Sequence, residues 1–138
     1  MSSRSLRSVF ALVACAAGLT VVSSAAAAAP HLRIPRMKLN VALAPDLADG
    51  PHLYYRSPTT VAIAGHRTTH THPFRRLDEL RKGDAIWVGE TLYRVRQTVV
   101  VRPWQVWVLR YHGLVLSACT PPGSAAYRMV VLAAPAKR

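Results

Sequence analysis

The stretch Ala85-Ile86-Trp87-Val88-Gly89-Glu90-Thr91-Leu92-Tyr93-Arg94-Val95 decides the fold. Aromatic and β-branched residues stand on both sides of Gly89-Glu90-Thr91, which is the signature of a hairpin. Lys82-Gly83-Asp84 supplies the turn before it, and Thr98 to Arg102 continues the second strand as far as Pro103. Toward the C-terminus, Val106 to Arg110 and Leu114 to Ser117 flank Tyr111-His112-Gly113, which predicts another hairpin. Tyr127 to Ala134 predicts a last strand. Toward the N-terminus, Thr60 to Ala64 has high β-propensity. Ile34-Pro35-Arg36-Met37-Lys38-Leu39 predicts a short first strand, kept at an edge by its proline. Ala44 to Ser57, with Pro45, Asp46, Asp49, Gly50 and Pro51, reads as loop and turns, and His66 to Pro73 as a polar loop. Phe74, Leu77 and Leu80 fall at helical spacing and predict one or two turns of helix. Short strands at regular spacing with so little helix predict an all-β fold, a small closed barrel.

Residues 1–29 read as an export signal or an N-terminal membrane anchor. Arg4 and Arg7 give a positive start, and Val9 to Ala29 carries no charge. The run is long enough to span a bilayer, and Ala25 to Ala29 offers small-residue cleavage sites. In either case the positive start keeps the N-terminus inside and places the remainder outside the cytoplasm. Leu12-Val13-Ala14-Cys15 looks superficially like a lipoprotein cleavage box, but the apolar run continues past Cys15, which therefore reads as a filler. Residues 30–138 form one small domain of about 109 residues, enough for a single core. The chain carries 18 Lys and Arg against 6 Asp and Glu, a net charge of +12. These charges are spread out, with no dense basic run and no nucleic-acid motif, so nucleic acid is not an expected partner. For an exported protein the expected polyanions are wall polymers and lipid headgroups.

Cys119 is the only cysteine outside the leader, so the domain has no internal disulfide. It closes the apolar strand Gly113-Leu114-Val115-Leu116-Ser117-Ala118-Cys119. Arg128 opens the last strand, and His66 lies just past Thr60 to Ala64. A thiol, a histidine and an arginine at strand ends form a nucleophile, a base and an oxyanion stabiliser. His70 and His72 stand near His66, but no local Cys, Asp or Glu completes a metal set. Scattered carboxylates argue against calcium, and no cofactor is expected. Trp87, Trp104 and Trp107 read as barrel packing or groove lining.

Gly65-His66-Arg67, Pro73-Phe74, Leu77-x-x-Leu80-x-x-Gly83-Asp84, the strand ending at Cys119 and then Arg128 together resemble a sortase. The resemblance runs from about Ile34 to Ala134. The wording Gly65-His66-Arg67-Thr68-Thr69 and the short interval from Cys119 to Arg128 are most similar to the compact actinobacterial classes E and F. The resemblance implies an eight-stranded sortase barrel and a cysteine transpeptidase. Such an enzyme cuts a Leu-Pro-x-Thr-Gly-like sorting signal through a Cys thioester and passes the acyl group to an amine on a peptidoglycan precursor. It implies Cys119 as nucleophile, His66 as acid/base and Arg128 as oxyanion or substrate clamp. It also implies a monomer at the outer face of the membrane. The family's usual Thr-Leu-x-Thr-Cys is here Val115-Leu116-Ser117-Ala118-Cys119, with both threonines replaced. Ser117, Ala118 and Thr120 are the candidate substrate contacts. The alternative is a catalytically weak sortase-fold binding module at the cell surface. An L,D-transpeptidase also uses Cys, His and Arg, but places its arginine two residues after the cysteine, where this chain has Pro121.

Overall fold

The computed structural model describes residues 26–137. Of the expected export or anchor segment, residues 1–25, Cys15 included, lie outside the described residues. Among the described residues eight strands form: β1 His31–Ile34, β2 Leu39–Ala42, β3 His52–Arg56, β4 Thr60–Ala64, β5 Ala85–Val88, β6 Thr91–Val101, β7 Gly113–Thr120 and β8 Tyr127–Pro135. The hairpin read from Ala85 to Val95 is β5–β6, with Val88 opposite Thr91 and Gly89 at φ +58 in the turn. One sheet runs in the order β2-β1-β5-β6-β8-β7-β4-β3. Its ladders are antiparallel except β4 with β7, which is parallel.

The all-β architecture follows the expectation, with one refinement. The two ends of the sheet, β2 and β3, share no ladder among the described residues. They meet through a single bridge, Ala44 to His52, and Ala44 N–H also donates to the Pro51 carbonyl. The sheet therefore curls into a half-barrel with a narrow seam. Asp46 turns the chain there, its carboxylate accepting from the Ala48 and Asp49 amides.

Four local expectations change. Ile34 to Leu39 is not one strand: Ile34 ends β1, Leu39 opens β2, and between them Pro35 starts a single 3-10 turn, Pro35–Met37, that Lys38 ends at φ +53. The fixed φ of proline suits a first helical position. The stretch read as loop from Ala44 to Ser57 contains β3, whose pattern is masked by a register shift between Leu53 and Tyr55. Val106 to Arg110 does not pair; Trp107–Arg110 is a 3-10 turn that lies over the sheet and buries Val108. The helix read from Phe74 is reduced to the 3-10 turn Leu77–Glu79. Among the described residues no helix is long and apolar enough to cross a membrane.

Both faces of the central strands are covered. Leu114, Leu116 and Ala118 join Ile63, Phe74 and Val131 in the main core. Val115 faces the other way, with Ala62, Val101, Val108, Val130 and Leu132 under the segment that links β6 to β7. Double burial explains why β7 reads as an unbroken apolar run rather than an alternating one. Beyond Val115 that second face continues through Ser117 to Cys119, and there it opens.

Candidate active site

The parallel ladder of β4 and β7 runs from Thr60 opposite Gly113 to Ala64 opposite Ser117. Parallel strands end together, so the residues just past Ala64 and Ser117 emerge at the same rim. The Gly65 amide adds one more rung to the Ser117 carbonyl, 3.1 Å. His66 and Cys119 follow on the two segments and line one cavity. Gly65 is required there by packing. A Cβ at this position would lie 2.7 Å from Cδ2 of the buried Phe74 ring. The chain then loops from His66 to Phe74 and is tied across its neck by Phe74 N–H to the His66 carbonyl, 3.0 Å.

Arg128 reaches the rim by a second route. β7 and β8 are antiparallel with Cys119 directly opposite Arg128, which puts both side chains on one face. A cavity of about 240 Å³ is lined by His66, Arg67, Cys119 and the β7–β8 loop from Gly123 to Ala125. A second cavity of about 230 Å³ is lined by Ser117, Arg128, Ala64, Tyr54 and the apolar Val106 and Leu109 of the overlying segment. The two cavities share no lining residue: the first holds the thiol and His66, and the second is an apolar slot beside Ser117 and Arg128.

The Cys119 thiol is free and half-buried. Burial pushes the His66 imidazole below its ordinary value, and repulsion from His70 pushes it the same way. The two rings lie 4.7 Å apart, centroid to centroid. A lowered value keeps more of the imidazole neutral near pH 7 and makes its protonated form a stronger acid toward a leaving amine. Arg128 Nη1 donates to the Ala125 carbonyl at 2.9 Å and the Tyr127 carbonyl at 3.1 Å. These bonds fix one arm of the guanidinium and leave the other nitrogens for a carbonyl or oxyanion. No group of three or more metal-ligating side chains occurs among the described residues.

The candidate substrate contacts are distributed unequally. Ser117 lines the apolar slot. Thr120 lies at the end of β7, and its hydroxyl accepts from Arg67 Nη1, 3.3 Å. Ala118 is placed differently from the expectation: it is buried on the opposite face, among core residues, and lines neither cavity. The strand's period of two makes this unavoidable, because Ser117 and Cys119 take the other face. Val115 packs beneath the overlying segment. Sequence reasoning assigned no role to Arg67, although it stands in the Gly65-His66-Arg67 motif, because an arginine in a polar loop normally reads as solvated. Here it is 5% exposed, paired with Asp78 at 3.1 Å, and its Nε has no partner among the described residues.

A family model described as Sortase domain matches residues 32–136. The chain belongs to the sortase family. Among solved structures it is similar to sortase E1 from Streptomyces coelicolor, determined with a tripeptide in the active site. That match has a TM-score of 0.69 at 26% identity and covers 80% of this chain and 88% of that one. Sortase C from Streptococcus pneumoniae matches with a TM-score of 0.68 at 25% identity, over 78% of this chain and 66% of the other. Sortase A from Corynebacterium diphtheriae shares the fold, with a TM-score of 0.72 at 22% identity, over 81% and 62%. No curated protein sequence matches. The likeness to a class E structure agrees with the wording around His66.

Proposed function

We propose that this sortase is a cysteine transpeptidase with Cys119 as nucleophile, His66 as acid/base and Arg128 as oxyanion stabiliser. The observation that carries the reading is the convergence of three separate chain segments on one rim. Support comes from the cavity that His66 and Cys119 line together, just past the end of the β4–β7 ladder, and from the β7–β8 register, in which Arg128 is opposite Cys119.

In the reaction the Cys119 sulfur attacks the carbonyl carbon of the Thr–Gly bond in a Leu-Pro-x-Thr-Gly-like sorting signal. A C–S bond forms, the C–N bond breaks, and His66 donates a proton to the departing amine. Arg128 donors meet the negative charge that develops on the carbonyl oxygen, where one well-placed donor is worth about 3–4 kcal/mol. An amine on a peptidoglycan precursor then attacks the thioester, a C–N bond forms, and the thiolate leaves as the amine gives up its proton. The apolar slot beside Ser117 suits the apolar part of the signal. In the similar Streptomyces coelicolor enzyme a tripeptide occupies the active site, which supports a peptide substrate here. Residues 1–29 would hold or deliver the domain to the outer face of the membrane, where both substrates meet.

The test is mass spectrometry of the full-length chain after incubation with sorting-signal peptides. A Cys119 adduct with the mass of a thioester, absent in Cys119→Ala, is the expected result. An intact peptide that binds without any adduct would favour the binding module instead.

A further inference from the structure

We propose that Arg67 is a positioning residue for the transfer reaction, its guanidinium tying the loop that carries His66 to the strand end that carries Cys119. The inference rests on the reading of Cys119 and His66 above. Arg67 directly follows His66, and Thr120 directly follows Cys119. The Arg67 Nη1 to Thr120 Oγ1 bond therefore links the two neighbours of the reacting pair. The other arm, Nη2, reaches Asp78 Oδ1 in the 3-10 turn that follows the loop.

The position of this tie matters. Among the described residues the backbone ladder between β4 and β7 ends with the Gly65 amide on the Ser117 carbonyl. Past that rung the two segments have no backbone bond, yet the chemistry needs His66 and Cys119 at a fixed separation. The loop itself is irregular, with His70 at φ +53 and His72 at φ +37, so it offers no regular element to hold His66. Arg67 supplies the next connection. It forms the wall shared by the cavity of His66 and Cys119 and a neighbouring cavity lined by Thr68, Arg75 and Asp78.

Filling that volume does not explain an arginine. An apolar side chain commonly packs as stably as a buried charged one whose only ionic partner is partly exposed. Here the arginine also leaves Nε without a partner. What the planar fork adds is two donors in fixed directions, one for each segment to be joined. A lysine ammonium at the same place keeps the charge and loses the fork. Thr120 is thereby a support for the site, with its hydroxyl turned to Arg67 rather than to a substrate.

The experiment measures kcat, KM and Tm for peptide cleavage by the full-length chain and its variants Arg67→Lys, Thr120→Val, their double mutant and Asp78→Asn. We expect Arg67→Lys and Thr120→Val each to lower kcat by about tenfold or more with KM within about twofold. The double mutant should be no slower than Arg67→Lys alone, because both remove one tie. Thr120→Val keeps the volume, and Asp78 is more than half exposed, so these two variants decide the matter even where Arg67→Lys folds poorly. Asp78→Asn should show a smaller fall in kcat at unchanged KM. An unchanged kcat in Thr120→Val, a rise confined to KM, or a loss of rate that only follows the folded fraction overturns the proposal. Cleavage that persists in Cys119→Ala, run alongside, would overturn the underlying reading of the site instead.

Discussion

Replacing Gly65 by alanine should damage catalysis more than stability. The added Cβ would stand 2.7 Å from Phe74 Cδ2, 2.8 Å from Cγ and 3.0 Å from Cε2. Phe74 is fully buried in the main core, so its ring has no free direction in which to withdraw. Restoring an ordinary contact requires relative movement of about 0.7 Å, taken up by the strand end or by the ring. Overpacking of this kind costs about 1–3 kcal/mol. For a domain of this size each kcal/mol is worth roughly 4 °C, so Tm should fall by about 4–12 °C. The displaced backbone is the rung to Ser117 and the residue before His66. A shift approaching 1 Å at a reacting group costs about 10²-fold in rate. We therefore expect kcat for a fluorogenic sorting-signal peptide to drop by about 10- to 100-fold at a temperature where the variant is fully folded, with KM little changed. Thermal unfolding and steady-state kinetics on the same preparation read both effects. A Tm within a degree of the parent and an unchanged kcat would refute the argument that ring contact at Gly65 sets the position of His66.

Cys119→Ala should abolish cleavage and leave the circular dichroism spectrum unchanged; retained cleavage would remove the thiol from the mechanism. His66→Ala should be nearly as damaging to turnover, whereas His72→Asn should be mild, asparagine tolerating the positive φ there. His70→Asn should keep activity but move the His66 limb of the pH–rate profile upward. Burial, the larger cause of the lowered value, remains, while the repulsion from His70 is gone. The sign for stability runs the same way. A histidine with a lowered folded pKa stabilises the fold fully above its ordinary pKa and loses that contribution as pH falls through the lowered value, so His70→Asn should lessen this loss. Arg128→Lys should lower kcat and kcat/KM together by about 10²- to 10³-fold, because a mobile ammonium lacks the fixed, separated donors by which a guanidinium holds the loop carbonyls with one arm and aims another at a substrate oxygen. A parental rate in that variant would make Arg128 a surface residue.

The elements legible in the sequence are those determined by local chemistry. Gly89-Glu90-Thr91 between two apolar runs is enough to signal the β5–β6 hairpin, although its register, with Thr91 opposite Val88 and only Gly89-Glu90 in the turn, is seen only in the structure. The strand ending at Cys119 is legible from its β-propensity, and the period of two already separates Ser117 from Ala118. The order of Gly65-His66-Arg67, Cys119 and Arg128 is enough to suggest a sortase, since family motifs are written in sequence. What needed the folded chain is every pairing between distant segments. The parallel register that ends just before His66 and Cys119 joins residues some fifty positions apart, and no turn between them records it. The strand His52–Arg56 is hidden for the same reason: its neighbours Gly50, Pro51 and Pro58 signal turns, while its stability comes from pairing with β4. Alternation from Cys119 turns Ala118 away from the thiol's face, and what the folded chain adds is the cover on each side: the main core over Ala118 and the Trp107–Arg110 segment over Val115. Arg67 is the sharpest case. A charged side chain in a polar loop is solvated by default, and only the meeting of Thr120 and Asp78 around it gives both terminal nitrogens of its guanidinium a partner where it is buried beneath the site.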